Sequence, residues 1–276
     1  MVSTDGANHV VGATATSESA TAVASTPKLM SVDNFRDLAG PARGYRTGSG
    51  RSARLGVVYR SNALSPNASD LATLSTLGIR AVYDLRTTKE VEAKPDKVPL
   101  GAKYVRVDIL GDASSAASVD LTTITSDSAR AMLSDANRDF VANESQRREF
   151  ATLLTDIAEA DGPVVVHCTS GKDRTGWASA LLLTVAGVSQ QDIMSNYLLT
   201  NQYSAASIDA TARATADRYG TVRGEGMRIA MGVFPEALQA GFDQATRQFG
   251  GMDGYLKDGL GLGQTTLDLL KSKLTV

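Results

Sequence analysis

The residues able to do chemistry crowd into ten positions, His167-Cys168-Thr169-Ser170-Gly171-Lys172-Asp173-Arg174-Thr175-Gly176. Cys168 is the only cysteine in 276 residues, and five residues separate it from Arg174. A thiolate is a strong nucleophile, and backbone N–H groups at a helix N-terminus favour it over the neutral thiol. Arg174 offers a planar two-donor fork that suits a phosphate. Lys172 adds a second positive charge, and Thr175 a hydroxyl that could donate to the sulfur when an intermediate breaks down. Gly171 permits the backbone angle that a loop folded round an anion needs. These types at this spacing point to attack on a phosphate monoester through a cysteinyl-phosphate intermediate, with Thr169, Ser170, Gly171, Lys172, Arg174 and Thr175 cradling the phosphoryl group.

Such a loop needs a strand to deliver it and a helix to receive it. Val164-Val165-Val166 after Pro163 reads as a short buried strand, and Trp177-Ala178-Ser179-Ala180-Leu181-Leu182-Leu183 as a helix. Upstream, strands are expected over 56–60, 80–85 and 103–109, with a helix near 67–77. Strands alternating with helices predict an α/β fold, a mostly parallel central sheet flanked by helices. Asp84 falls near the end of such a strand, where open α/β sheets form their sites, so it is a second candidate proton donor. Its alternative role is to hold a loop or pair with Arg86. His167, ahead of the nucleophile, is expected to order the loop through a hydrogen bond.

After the loop the pattern becomes all-helical across 188–276. Gly187 should end the first helix. Ser189-Gln190-Gln191-Asp192 should cap a second that reaches about Tyr203. A third spans Ser204 to Tyr219, another runs from Pro235 to Gly250, and the last from Gln264 to Leu274. Residues 1–27 read as a flexible leader and 28–276 as a single domain. Residues 111–147 are small and polar at first, then show a broken amphipathic pattern.

The string His-Cys-x-x-Gly-Lys-Asp-Arg-Thr-Gly resembles the signature of the protein tyrosine phosphatase superfamily, in its bacterial PtpB/LipA-type branch. Asn34-Phe35-Arg36-Asp37-Leu38, Val58-Tyr59-Arg60-Ser61, Asp84-Leu85-Arg86 and Gly254-Tyr255-Leu256 resemble further motifs of that branch. The resemblance runs from about residue 30 to about residue 274. It implies a phosphatase fold with a helical lid insertion near 111–147 and hydrolysis without a cofactor. It also implies Asp173 as general acid and base. The implied substrates are phosphotyrosine proteins first, with dual specificity or phosphoinositides as the alternative.

Composition narrows the other classes. A net charge of −2 without a long basic run argues against nucleic acid as a partner. Two histidines, His9 and His167, and one cysteine make no convincing metal cluster. No apolar run reaches membrane-spanning length. The first 27 residues have neither a basic start nor a continuous apolar segment, so they do not read as an intact signal peptide. Their Ala/Ser/Thr bias and the branch's secreted members favour export over a cytoplasmic location. Ser170-Gly171-Lys172 resembles part of a nucleotide-binding P-loop, but Val166 and Asp173 stand where that motif needs Gly and Ser or Thr. A silent phosphopeptide-binding module would keep Arg174 and should lose Cys168.

Overall fold

The computed structural model describes residues 26–40, 42–111 and 120–276. Five strands form one sheet: β1 (Arg36–Asp37), β2 (Val58–Ser61), β3 (Ala81–Asp84), β4 (Lys103–Arg106) and β5 (Val164–His167). Their order is β1-β2-β5-β3-β4, with β1 antiparallel to β2 and every other pair parallel. The helices are α1 (Ala68–Ser75), α2 (Thr88–Ala93), α3 (Ser126–Ala142), α4 (Glu144–Glu159), α5 (Asp173–Ala186), α6 (Gln190–Leu198), α7 (Thr200–Tyr203), α8 (Ala205–Tyr219), α9 (Thr221–Met231), α10 (Pro235–Phe249) and α11 (Gln264–Leu274).

β5 lies at the centre because its three valines can be buried on both faces. Val164 and Val166 join Val58, Ala81 and Tyr83 in the larger core, which Phe150, Leu153, Trp177 and Leu181 cover. Val165 points the other way with Tyr59 and Val82, into a smaller core closed by Phe35, Leu64 and Leu74. Burial of the whole strand makes its C-terminal end a fixed platform. The helix after it is anchored as firmly, since 12 of the 14 residues of α5 are buried. The C-terminal ends of β2, β5 and β3 meet where Ser61, His167 and Asp84 stand in register.

Several expectations shift at their edges. The strand expected over 103–109 ends at Arg106. Val107 N–H still reaches the Asp84 carbonyl at 2.8 Å, but Asp108 then turns the chain by accepting from Gly111 N–H at 2.9 Å. Charged, exposed Lys103 and Arg106 suit an edge strand. The helix expected from Ser189 to Tyr203 divides at Leu199 into α6 and α7, after starting at the Ser189 cap as expected. α9 escaped the sequence reading because Gly224 and Gly226 look like breakers. A Cβ at Gly224 would come within 2.8 Å of the Ala212 carbonyl oxygen, and one at Gly226 within 2.9 Å of Thr125 C, so both glycines permit close packing. In the stretch 111–147, residues 112–119 lie outside the described residues. Residues 126–142 form α3, which packs through Leu133 and Phe140 against its neighbours, including α9 and α10. Of the leader, residues 1–25 lie outside the described residues.

Candidate active site

The loop Cys168–Lys172 leaves the end of β5 and enters α5 at Asp173. Lys172 occupies the N-cap position with no side-chain cap, which leaves the first N–H groups of α5 for an anion. Gly171 turns at φ 66°, and a Cβ there would lie 2.2 Å from the Ser61 carbonyl oxygen. Both constraints demand glycine.

The motif residues far upstream hold this turn from outside. Asn34, itself left-handed at φ 62°, donates through Nδ2 to the Gly171 carbonyl at 2.7 Å. Arg60 donates to the same carbonyl at 2.8 Å, and Thr169 accepts from Ala63 N–H at 3.1 Å. A peptide whose carbonyl is held on one side presents its N–H on the other, so these bonds turn amides toward the loop's hollow. Arg36 in turn grips the Asn34 side chain and donates to the Asn196 carbonyl at 3.0 Å. Phe35 stacks on Tyr59 with centroids 5.4 Å apart. Tyr255, of the C-terminal motif, donates to the Phe140 carbonyl at 3.0 Å and packs on Trp177 of α5.

Each expected site residue has a definite place. Cys168 sits at the floor of the loop, 3% exposed. The Thr175 hydroxyl is buried without a hydrogen-bond partner. Asp173 opens α5 with Oδ2 3.3 Å from Lys172 Nζ, while its Oδ1 is buried and unpartnered. Ser170 contributes its carbonyl to Asn34, at 3.4 Å. Lys172 is turned away from the hollow. Its ammonium donates to the carbonyls of Ala230 and Gly232 at the end of α9, the latter at 3.4 Å, and so ties the loop to that helix.

Asp84 is not brought to the loop's hollow. Arg86 pairs with both its oxygens at 2.7 and 2.8 Å, and Tyr104 donates to it at 2.9 Å. Burial would raise its pKa, but the Arg86 hydrogen bonds, then the charges of His167 and Arg86, hold it below the usual carboxylate range. A carboxylate kept ionised with both oxygens taken is a poor proton donor. Arg86 also bridges to Asp96 at 2.8 Å, and His167 Nε2 lies 2.9 Å from Asp96 Oδ2. His167 Nδ1 approaches the Cys168 carbonyl at 3.3 Å, which ties the network to the loop. Asp84, Asp96 and His167 are close enough to suit a cation, but the Arg86 guanidinium already supplies that charge.

The sequence reading missed Glu90. Both Glu90 oxygens pair with the two terminal nitrogens of Arg174, at 2.7 and 2.8 Å, and one accepts from the Thr169 hydroxyl. Arg174 Nη1 also donates to the Leu85 carbonyl at 3.1 Å, so the plane of the guanidinium is fixed. Burial would raise the Glu90 carboxyl, yet the bonds and charge of Arg174, then Thr169 and Thr87 N–H, hold it at about 2. The local signal was Thr87-Thr88-Lys89-Glu90, a capping box that opens α2 and aims the carboxylate.

A buried thiol at the end of a parallel strand, an amide-lined turn and an oriented arginine form an arrangement suited to covalent capture of a phosphoryl group. The profile of the tyrosine phosphatase family matches residues 27–276. A Cupriavidus necator protein named among the tyrosine-protein phosphatases is 34% identical over 235 residues, covering 83% of this chain and 82% of that one. The triple specificity protein phosphatase PtpB of Mycobacterium tuberculosis is 28% identical over 275 residues, covering 87% of this chain and 96% of that one. A tyrosine-protein phosphatase of Nostoc commune is 29% identical over 212 residues, covering 75% and 69%. The chain belongs to the tyrosine phosphatase family and is a phosphoric monoester hydrolase.

Proposed function

We propose that the chain dephosphorylates phosphotyrosine in proteins, with Cys168 as nucleophile, Arg174 and the loop amides as the phosphate cradle, and Asp173 as general acid and then base. The sulfur attacks phosphorus, the bond to the phenolic oxygen breaks, and Asp173 gives that oxygen its proton. Water then attacks the cysteinyl phosphate, Asp173 takes the water's proton, and the S–P bond breaks to release phosphate. The Thr175 hydroxyl steadies the departing thiolate. His167 and Asp84 support the loop from behind, and Thr169, Ser170, Gly171 and Lys172 shape it. Residues 28–276 act as one domain, with α3 as a wall of the site.

The observation that carries this reading is the geometry of Asp173, one oxygen paired with Lys172 and the other buried and unpartnered at the start of α5. That oxygen is available to hold a proton beside the loop. Two features favour an aryl phosphate over an inositol phosphate. Cys168 is buried, so a long flat side chain reaches it best, and the Lys172 ammonium is spent on α9 carbonyls. The breadth implied by the name of the mycobacterial relative supports a second, wider reading that includes phosphoserine and phosphoinositides.

The experiment is a panel of phosphotyrosine and phosphoserine peptides, phosphoinositides and an aryl phosphate, run beside Cys168→Ser. Phosphotyrosine should have the highest kcat/KM, and Cys168→Ser should abolish all turnover. Activity surviving in Cys168→Ser would end the covalent reading, and a phosphoinositide preference would replace the tyrosine one.

A further inference from the structure

Behind the loop stand two arginines that this chemistry does not use. Arg36 and Arg60 face each other across the β1–β2 pair and are 2% and 1% exposed. Their partners are all neutral. Arg60 donates to the Gly171 carbonyl at 2.8 Å and to Asn196 Oδ1 at 3.1 Å. Arg36 donates to the Asn34 carbonyl at 3.1 Å, to the Asn34 side chain, to the Asn196 carbonyl at 3.0 Å and to Thr200 Oγ1 at 3.3 Å. The Nε atoms of both are buried without a hydrogen-bond partner. The other two buried arginines among the described residues, Arg86 and Arg174, each sit on a carboxylate.

A buried cation without a counter-ion is costly, and two side by side repel each other. Burial lowers the pKa of Arg36, and the charge of Arg60 lowers it further. Burial brings Arg60 down to about 10, and the first neighbour opposing that fall is a thiolate at Cys168. Next come Tyr197 and Tyr45, phenols that burial keeps neutral in ordinary solution. Around the loop, Glu90 is paired with Arg174, Asp173 with Lys172, and Asp84 and Asp96 with Arg86, with His167 beside them. Asp192 lies on the far side, toward Tyr45. The ion pairs among the described residues therefore leave Arg36 and Arg60 unbalanced.

We propose that Arg60, backed by Arg36, is a positioning residue of the phosphate site whose missing counter-ion is the Cys168 thiolate and the anion the loop binds. The guanidinium acts through the Gly171 carbonyl and through its field, not by touching the phosphoryl group. Vacancy of the loop leaves positive charge stranded in the core, and occupancy balances it. This inference rests on the reading of Cys168 as nucleophile.

Asn196→Asp tests it, because it sets a carboxylate 3.1 Å from Arg60 without changing the side chain's shape. With one cysteine in the chain, iodoacetamide reports on Cys168 alone. In Asn196→Asp the ratio of alkylation rates at pH 6.5 and pH 9.5 should fall about tenfold, the effect of one pH unit on thiolate fraction. Orthovanadate should bind about tenfold more weakly, while the ligand-free Tm holds or rises. Arg60→Gln should shift both readouts the same way, and Arg60→Lys should restore them. An unshifted alkylation profile with unshifted vanadate affinity overturns the proposal, and so does a lowered Tm or failure to fold in Asn196→Asp. Hydrolysis lost in Cys168→Ser beside an unaffected Asn196→Asp would defeat this inference alone, whereas hydrolysis retained in Cys168→Ser would defeat the reading beneath it.

Discussion

Replacing Glu90 by Gln removes one charge and keeps the shape, so it isolates what the carboxylate does for Arg174. The Glu90 carboxyl is held at about 2 against an ordinary 4.5. At about 1.4 kcal/mol per pH unit, that interval corresponds to about 3 kcal/mol of stability at neutral pH. The side chain is 20% exposed, and solvent screening reduces the contribution to about 1–2 kcal/mol. Because folding depresses this pKa, the contribution is complete above about pH 5 and disappears as the pH falls through about 2. Urea denaturation of wild type and Glu90→Gln at pH 7, 5, 3.5 and 2.5 measures it directly. The two proteins should differ by about 1–2 kcal/mol at pH 7 and converge as the acid range is crossed. Since the pair also fixes the guanidinium plane, kcat/KM should fall about tenfold to hundredfold. A stability difference that stays constant from pH 7 to pH 2.5 would refute the reasoning.

Asp173→Asn should lose about 10²–10³-fold in kcat on esters with poor leaving groups and much less on an activated aryl phosphate, read by a leaving-group series. The basic limb of its pH–rate profile should flatten. Gly171→Ala has to place a methyl group 2.2 Å from the Ser61 carbonyl oxygen at φ 66°. It should cost about 2–4 kcal/mol in denaturant unfolding and abolish orthovanadate binding at concentrations that saturate wild type.

The site was legible where it is local. The string from His167 to Gly176 carries nucleophile, arginine and glycine within ten residues, and a strand–loop–helix leaves little freedom in how they meet. The apolar run Val164–Val166 announced the central strand because burial on both faces leaves its mark on composition. Glu90 was not legible as a partner of Arg174, since 84 residues separate them and only the fold brings α2 beside α5. Asp84 showed its position at a strand end, but its pairing with Arg86 and Tyr104 depends on side-chain directions that periodicity does not carry. Lys172 was read as facing the anion because its charge suggested it, whereas the end of α9, a helix that the glycines concealed, competes for the ammonium. Arg36 and Arg60 were visible within motifs, but their missing counter-ions became apparent only once their surroundings were known.

The carbonyl of Gly171 is grasped by Asn34 and Arg60, 137 and 111 residues earlier in the chain. The hollow that receives phosphate thus exists only when the N-terminal motifs, the sheet and the buried helix have all come together. No fragment of this enzyme can be half competent, because the anion site is a property of the completed tertiary structure. The same linkage runs in reverse. An anion at a hundred times its dissociation constant stabilises the whole chain by about 2.7 kcal/mol. The product of the reaction is therefore also a chaperone for the catalyst, and inorganic phosphate in the surroundings sets how much of the protein is folded as well as how much of it is inhibited.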